Sequence, residues 1–508
     1  MPAVSDLAAD LHALTARLAA LELPDRPLHV RVETATESGG GEYRVAFAVA
    51  YGKLTVTCWG SGRSACWRVE SYELDDDALR LEVSRRAGAE SGRLVIAATG
   101  GALPDAGASP SPAEWRRRVR SWLAERLPPG TRIVSLPRPE PASVVTGWQA
   151  ARAGETRLIF TTSASDEASL RRMLGQAALA LQEVASADGL WLVLPPGGLA
   201  GLSPFPPLLR LPPLSLYEVA PDWGDIRPAA CGHQLPLVAE PIRRWARRPP
   251  TLVELDALRE WFGDDLDAHC EVAPLGARVL SVRWQGLECA RWFRAARADQ
   301  SATGSLRFGL TTLGEPSRPL TTSARADFQA MLASLRRHRA PTARDTGHPL
   351  YRAHPERWLD AVVRRRLEVI DDALDPAHVW AQSPHFDQRA AGLADFLTLT
   401  RAGRLAVVEL KATADADAIW QALTYWLRAA HHWRQGDFVR RGYFAGAQLA
   451  ERAQPALYLI APTLRFHPVA RAVARRLRPG LDLTLLGVNE GWRRSLRAVF
   501  RERFGAPG

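Results

Sequence analysis

The stretch GLADFLTLTRAGRLAVVELKA, residues 392–412, limits the possible folds of this chain more than any other. Two apolar runs flank Arg401-Ala402-Gly403 and read as the strands of a β-hairpin with its turn there. With Ala402 at the turn centre, Asp395 lies opposite Glu409. Side chains alternate faces along a strand, so Glu409 and Lys411 share a face. Cross-strand partners share one as well, so Asp395 joins them. A slip of one residue would send these groups to opposite faces, so the prediction depends on the turn.

Lys411 stands out by composition. The chain has 508 residues and 65 Lys+Arg, yet Lys53 and Lys411 are its two lysines. A high-GC, bacterial coding bias explains the drift to arginine, and a lysine that escapes it is informative. An ammonium is a compact point charge that can lose its proton when buried or beside a metal, whereas a guanidinium stays charged.

The surroundings of the hairpin predict an α-β-β-β-α-β order. PERWLDAVVRRRLEVIDDAL reads as a helix with Pro355 in its first turn, and HVWAQSPHF (378–386) as a short strand. ADAIWQALTYWLRAAHHW is a second helix, on which Gln421 and Tyr425 are four apart and share a face. PALYLIAP (455–462) is the closing strand. Two carboxylates beside a lysine suit metal-assisted phosphodiester hydrolysis, with oxygen ligands for Mg²⁺ and positions left for water and phosphate.

Asp395 followed by Glu409-Leu410-Lys411 on this core resembles the PD-(D/E)XK nuclease superfamily over roughly residues 350–490. Gln421-Ala-Leu-Thr-Tyr425 resembles the QxxxY motif of one branch. The resemblance implies Asp395 and Glu409 as metal ligands and Lys411 as the group that positions or activates the nucleophile. It gives Gln421 and Tyr425 supporting or nucleic-acid-contacting roles. Glu356 would complete the acidic cluster, with Asp360 and Glu368 as competitors for that place. Mg²⁺ is the implied cofactor, with Mn²⁺ as a substitute. The superfamily's proline before the aspartate is Ala394 here.

The rest of the chain reads as an α/β multidomain protein, since 508 residues exceed one core. Residues 1–100 form a β-rich domain with six alternating runs after an N-terminal helix, and 100–112 a linker. Residues 113–220 are α/β, with 196–217 too proline-rich for regular structure. Residues 221–340 are mixed α+β, 339–349 a linker, and 350–508 the nuclease domain. Residues 113–195 repeat the order of the C-terminal domain and read as a degenerate copy. Thr162 falls at the position of Glu409, Ala164 at that of Lys411, and Gln176 at that of Gln421.

A net charge of +10 and recurring arginine clusters point to a polyanion partner. Clusters fall at 243–248, 336–339, 364–366, 475–478 and 493–494. Nucleic acid is expected before an anionic membrane, and DNA before RNA from the superfamily's balance. No apolar run is long enough to span a membrane. Scattered cysteines and the lack of a signal-peptide pattern predict the cytoplasm. Bacterial defence and DNA repair are both compatible settings. The N-terminal 340 residues are expected to recognise substrate, a protein partner or subunit, or a trigger. The competing expectation is a non-catalytic nucleic-acid-binding or assembly protein on an inherited nuclease fold.

Overall fold

The computed structural model describes residues 7–21, the strands between 28 and 97, residues 110–137, 144–230 apart from 185 and 222, 248–294, 304–381 and 395–505. Met1–Ser111, Ala164–Asp166 and Ala220–Asp225 form one compact unit, and the remaining residues a second. The first carries helix α1 (Leu7–Leu21) and strands β1 (Leu28–Thr34), β2 (Ser38–Ala50), β3 (Lys53–Gly60), β4 (Arg63–Leu74), β5 (Ala78–Arg85) and β6 (Glu90–Ala97). The strands are antiparallel neighbours, and β6 returns to β1 to close a barrel. Alternation puts Val30, Val56, Trp67 and Leu81 inside, with Leu14 and Leu18 of α1 in the same core. Closure leaves no sheet edge exposed.

The second unit holds three sheets. The first follows α2 (Pro112–Arg126) and comprises β7 (Arg132–Ser135), β8 (Val145–Arg152), β9 (Glu155–Thr162), then α3 (Glu167–Glu183), β10 (Gly189–Leu194), α4 (Gly198–Leu202), β11 (Leu214–Val219) and β12 (Ile226–Ala229). The proline-rich 196–217 segment therefore holds a short helix and the start of a strand. Its prolines end at Pro213, just before β11, where a missing N–H breaks no ladder bond.

Along the chain, the second sheet follows α5 (Leu252–Phe262) and α6 (Asp265–His269) and precedes α7 (Arg325–His338). Its strands are β13 (Cys270–Pro274), β14 (Val279–Trp284), β15 (Leu287–Phe293), β16 (Ser305–Phe308) and β17 (Arg318–Pro319). Thr251 and Glu254 cap α5 reciprocally. Phe262, Trp284, Phe308 and Phe328 fill the core.

The third sheet follows the short α8 (Pro349–Arg352), then α9 (Pro355–Arg365) and α10 (Leu367–Ile370). It comprises β18 (Leu374–Ala381), β19 (Phe396–Thr400), β20 (Leu405–Leu410), β21 (Ala456–Pro462), β22 (Leu483–Val488) and β23 (Ala498–Phe504). Helices α11 (Ala418–Arg434) and α12 (Asp437–Arg440) connect β20 to β21, and α13 (Pro468–Ala474) connects β21 to β22. Residues 382–386 of the expected strand at 378–386 lie outside the described residues.

The first and third sheets have the same plan. Each is six strands in sequential order, with two antiparallel pairings, two parallel pairings and a final antiparallel one. In each, a long helix joins the third strand to the fourth, as a parallel crossover requires. The preceding helices match too: α2 and α9 both open with a proline and bury a tryptophan three residues on, Trp115 and Trp358. One apolar core runs through both sheets. Gly175 of α3 permits the close approach, since a Cβ there would lie 2.8 Å from Val469 of α13. Phe205 meets Trp420 edge-on at 5.1 Å between ring centres.

Several arginines read as phosphate contacts are ties within the fold. Arg476 donates to the Leu181 carbonyl and Arg478 to that of Leu209, so both link the two similar sheets. The expected linker at 339–349 begins with a fully buried residue. Arg339 donates to the carbonyls of Trp284, Gln285, Leu350 and Ala353 and stacks on Trp358. Arg493 lies over the rings of Tyr351, Trp358 and Trp492. Of the cluster at 243–248, only Arg248 is among the described residues.

Candidate active site

The β19–β20 ladder runs from Leu399↔Leu405 to Phe396↔Val408. One further step brings Asp395 opposite Glu409, the register set by the turn at 401–403. Every residue of β20 is buried, because the strand is central and covered on both faces. Ala406, Val408 and Leu410 face the core under α9, while Leu405 and Val407 face the core shared with α11. Glu409 follows the second set, so a carboxylate enters an otherwise apolar face at the strand end. It is 3% exposed.

Five contacts define the centre. Asp395 Oδ2 accepts the Leu410 N–H at 2.6 Å. Lys411 Nζ lies 3.1 Å from Glu409 Oε1 and donates to Gln421 Oε1 at 2.7 Å. Asp415 lies 3.7 Å from the same ammonium. The Lys411 N–H donates to the Ile460 carbonyl, which extends the parallel pairing with β21 past the end of β20. Gln421 and Tyr425 both face the site from α11. Gln421 touches Lys411, and Tyr425 is buried close enough to Glu409 and Asp395 that burial, then their charges, raise its hydroxyl pKa.

Burial raises the pKa of Asp395 well above the ordinary carboxylate range, and Glu409 and Asp360 push it further. Glu409 is pushed up to about 7, by burial against the pull of Lys411 and with Glu356 and Asp415 adding repulsion. For Lys411, burial alone would lower the pKa, but Glu409, Glu356 and Asp415 outweigh it and raise it. The lysine is thus held as an ammonium, and the deprotonated form considered from its burial is disfavoured in this arrangement.

Glu409 Oε2 is buried and has no hydrogen-bond partner. An orphaned buried carboxylate oxygen beside a second, half-buried carboxylate is costly unless a cation neutralises the pair. Mg²⁺ fits such a donor set, since it binds through one or two carboxylates and keeps its other positions for water and phosphate. Among the described residues no three His, Cys, Asp or Glu side chains come together to hold an ion. Glu356 acts on Glu409 and Lys411 through its charge and does not close a three-carboxylate cage. Asp360 is held by Arg364 at 2.7 Å and faces Asp395 electrostatically. Glu368 is exposed.

Asp360 also lines a cavity of about 190 Å³ with Glu271, Arg283, Arg357 and Arg364. Arg364 spans Glu271 and Asp360, so the sheet of β13–β17 is tied to α9 beside the acidic centre. Sequence reading missed this contact, because Glu271 lies 93 residues from Arg364.

The corresponding place in the first sheet is differently furnished. Strands β8 and β9 carry one carboxylate, Glu155, at the far end of β9. Thr162, at the position of Glu409, is fully buried opposite Val145, and its neighbour Thr161, also buried, donates to the Val193 carbonyl and accepts from the Trp115 indole at 2.9 Å. Neutral, satisfied groups occupy the end of this strand.

No family model matches the chain, and no curated protein matches it. Solved structures similar to it include the Bacillus subtilis YojF protein, with 13% identity over 20% of this chain and 97% of that one, at a TM-score of 0.15. EndoMS in its apo form has 15% identity over 40% of this chain and 92% of that one, at 0.14. A repair endonuclease from Pyrococcus abyssi has 9% identity over 38% and 88%, at 0.15. At these TM-scores the likenesses carry no argument about this chain. Among the described residues no helix is long and apolar enough to cross a membrane.

Proposed function

We propose that this chain is a divalent-metal-dependent endonuclease of the PD-(D/E)XK type, acting on DNA in preference to RNA. Its single centre would lie at Asp395, Glu409 and Lys411. The observation that carries the reading is the unpartnered Glu409 oxygen, in register with Asp395 and beside a lysine held as an ammonium. With the one-turn helices α10 and α12 set aside, the order α9, β18, β19, β20, α11, β21 supports the αβββαβ core that the resemblance implies. The first sheet, with the same plan and no carboxylates at the matching strand end, fits a degenerate copy of that core.

Asp395 and Glu409 would hold Mg²⁺, or Mn²⁺ in its place. When bound, the ion would offset charge on the scissile phosphate and ease ionisation of the attacking water. The chain's own groups do the rest. Lys411 Nζ, fixed by Glu409 and Gln421, presents its remaining proton to the attacking water or a phosphate oxygen. Tyr425 and the apolar face of β20 exclude bulk water, which strengthens every charge interaction there.

The test is cleavage of plasmid DNA and of RNA with Mg²⁺ and with Mn²⁺, comparing wild type with Asp395→Asn and Lys411→Ala. The expected result is DNA cleavage by wild type and a loss of roughly 10²-fold or more in each variant, the scale of removing one preorganised charge-stabilising group. Equal cleavage by all three would overturn the site. Absence of cleavage by wild type with either metal would overturn the catalytic reading in favour of a binding protein.

A further inference from the structure

We propose that Arg171, on helix α3 of the sheet without acidic ligands, is a positioning residue for Lys411. This rests on the nuclease reading for its catalytic meaning, though not for its geometry. The connection has three hydrogen bonds. Arg171 Nε donates to Asp417 Oδ1 at 2.7 Å. Gln421 Nε2 donates to Asp417 Oδ2 at 3.1 Å. Lys411 Nζ donates to Gln421 Oε1 at 2.7 Å.

Each link fixes the next by donor and acceptor chemistry. An ammonium only donates and a carboxylate only accepts, so Gln421 satisfies both neighbours in one amide orientation alone. Its oxygen must face Lys411 and its NH₂ must face Asp417. The flipped amide would set NH₂ against the ammonium and oxygen against the carboxylate. The orientation therefore depends on where Asp417 points. Asp417 is the residue before the first turn of α11, and its side chain is 22% exposed, with solvent as a competitor for its oxygens.

Arg171 decides that competition. Its side chain is 14% exposed, and its fork grips Asp417 through Nε and Glu167 through Nη1 at 2.9 Å. The guanidinium is thereby locked to its own helix while it holds α11. Helix α3 is itself seated by the close Gly175–Val469 approach. The similar sheet, with no ligands to hold a metal, thus sets the direction of Lys411 Nζ from 246 residues earlier in the chain than Asp417.

A merely structural ion pair between α3 and α11 would affect stability without moving the lysine, and the composition makes the distinction measurable. A chain carrying ¹³C at the lysine ε-carbons gives two lysine signals, from Lys53 and Lys411, assigned with Lys411→Arg. Arg171→Ala is expected to move the Lys411 signal and leave that of Lys53 in place. Arg172→Ala, an equal loss of charge on an exposed neighbour, is expected to move neither. Asp417→Asn, nearly isosteric, is expected to move the Lys411 signal and carries the test should Arg171→Ala not fold.

In single-turnover cleavage, Arg171→Ala is expected to lower the rate at saturating DNA on the order of ten-fold, as for groups that orient a metal site's ligands. DNA affinity should stay unchanged, and Arg171→Lys should recover part of the rate. A Lys411 signal unchanged in folded Arg171→Ala and in Asp417→Asn overturns the proposal. A signal that moves while wild type fails to cleave DNA leaves the positioning intact and overturns the nuclease reading instead.

Discussion

At Glu409, burial opposes ionisation, Lys411 favours it, and Glu356 and Asp415 oppose it again, leaving a pKa near 7. In the unfolded chain the same group titrates at about 4.3. A carboxyl whose pKa is raised on folding binds its proton more tightly in the native state. Stability from this group is therefore present at low pH and lost as pH rises from about 4.3 through 7. In EDTA, wild type is expected to lose melting temperature against Glu409→Gln between pH 5 and pH 8. Mg²⁺ should reverse that order, because the ion replaces the proton. A constant difference across this range in EDTA would contradict the assignment. Lys411 was legible as a singular residue from composition alone. Its protonation was not, because Glu356 and Asp415 act through space.

The hairpin was the most legible element. A turn at 401–403 flanked by apolar runs admits one register, and that register aligns Asp395 with Glu409. The proline-rich segment before β11 was less legible, because its prolines sit in turns, bends and a single 3-10 turn, Pro206–Leu208, that composition does not distinguish from loop. The arginine clusters misled in part for a similar reason. Arg339 and Arg476 bind carbonyls distant in sequence, and a charge count cannot tell a buried tie from a phosphate contact. Packing of α3 on α13 was not legible at all, since it depends on Gly175 meeting Val469. Gly175→Leu should force these helices apart and destabilise the fold by about 1–3 kcal/mol, read by denaturant unfolding. An unchanged midpoint would show that the contact is looser than its geometry implies.

At the scale of the molecule, two sheets of one plan share a core, and one has a pair of carboxylates, Asp395 and Glu409, where its second strand begins and its third ends. The sequence alignment of the two segments sets Thr162 where the third sheet has Glu409. It did not anticipate that Thr161 and Trp115 would satisfy each other there. Thr161→Ala should cost about 1–3 kcal/mol, through the orphaned indole N–H, and leave the cleavage rate per folded molecule unchanged. A loss of rate beyond the loss of fold would place chemistry in the first sheet. On the proposed reading the chain has one metal-binding centre, between Asp395 and Glu409. Anomalous scattering from crystals soaked in Mn²⁺ would locate it. A peak is expected in contact with Asp395 and Glu409, and none at the end of β9 near Thr162. A Mn²⁺ peak elsewhere in the chain, with none at Asp395 and Glu409, would contradict it.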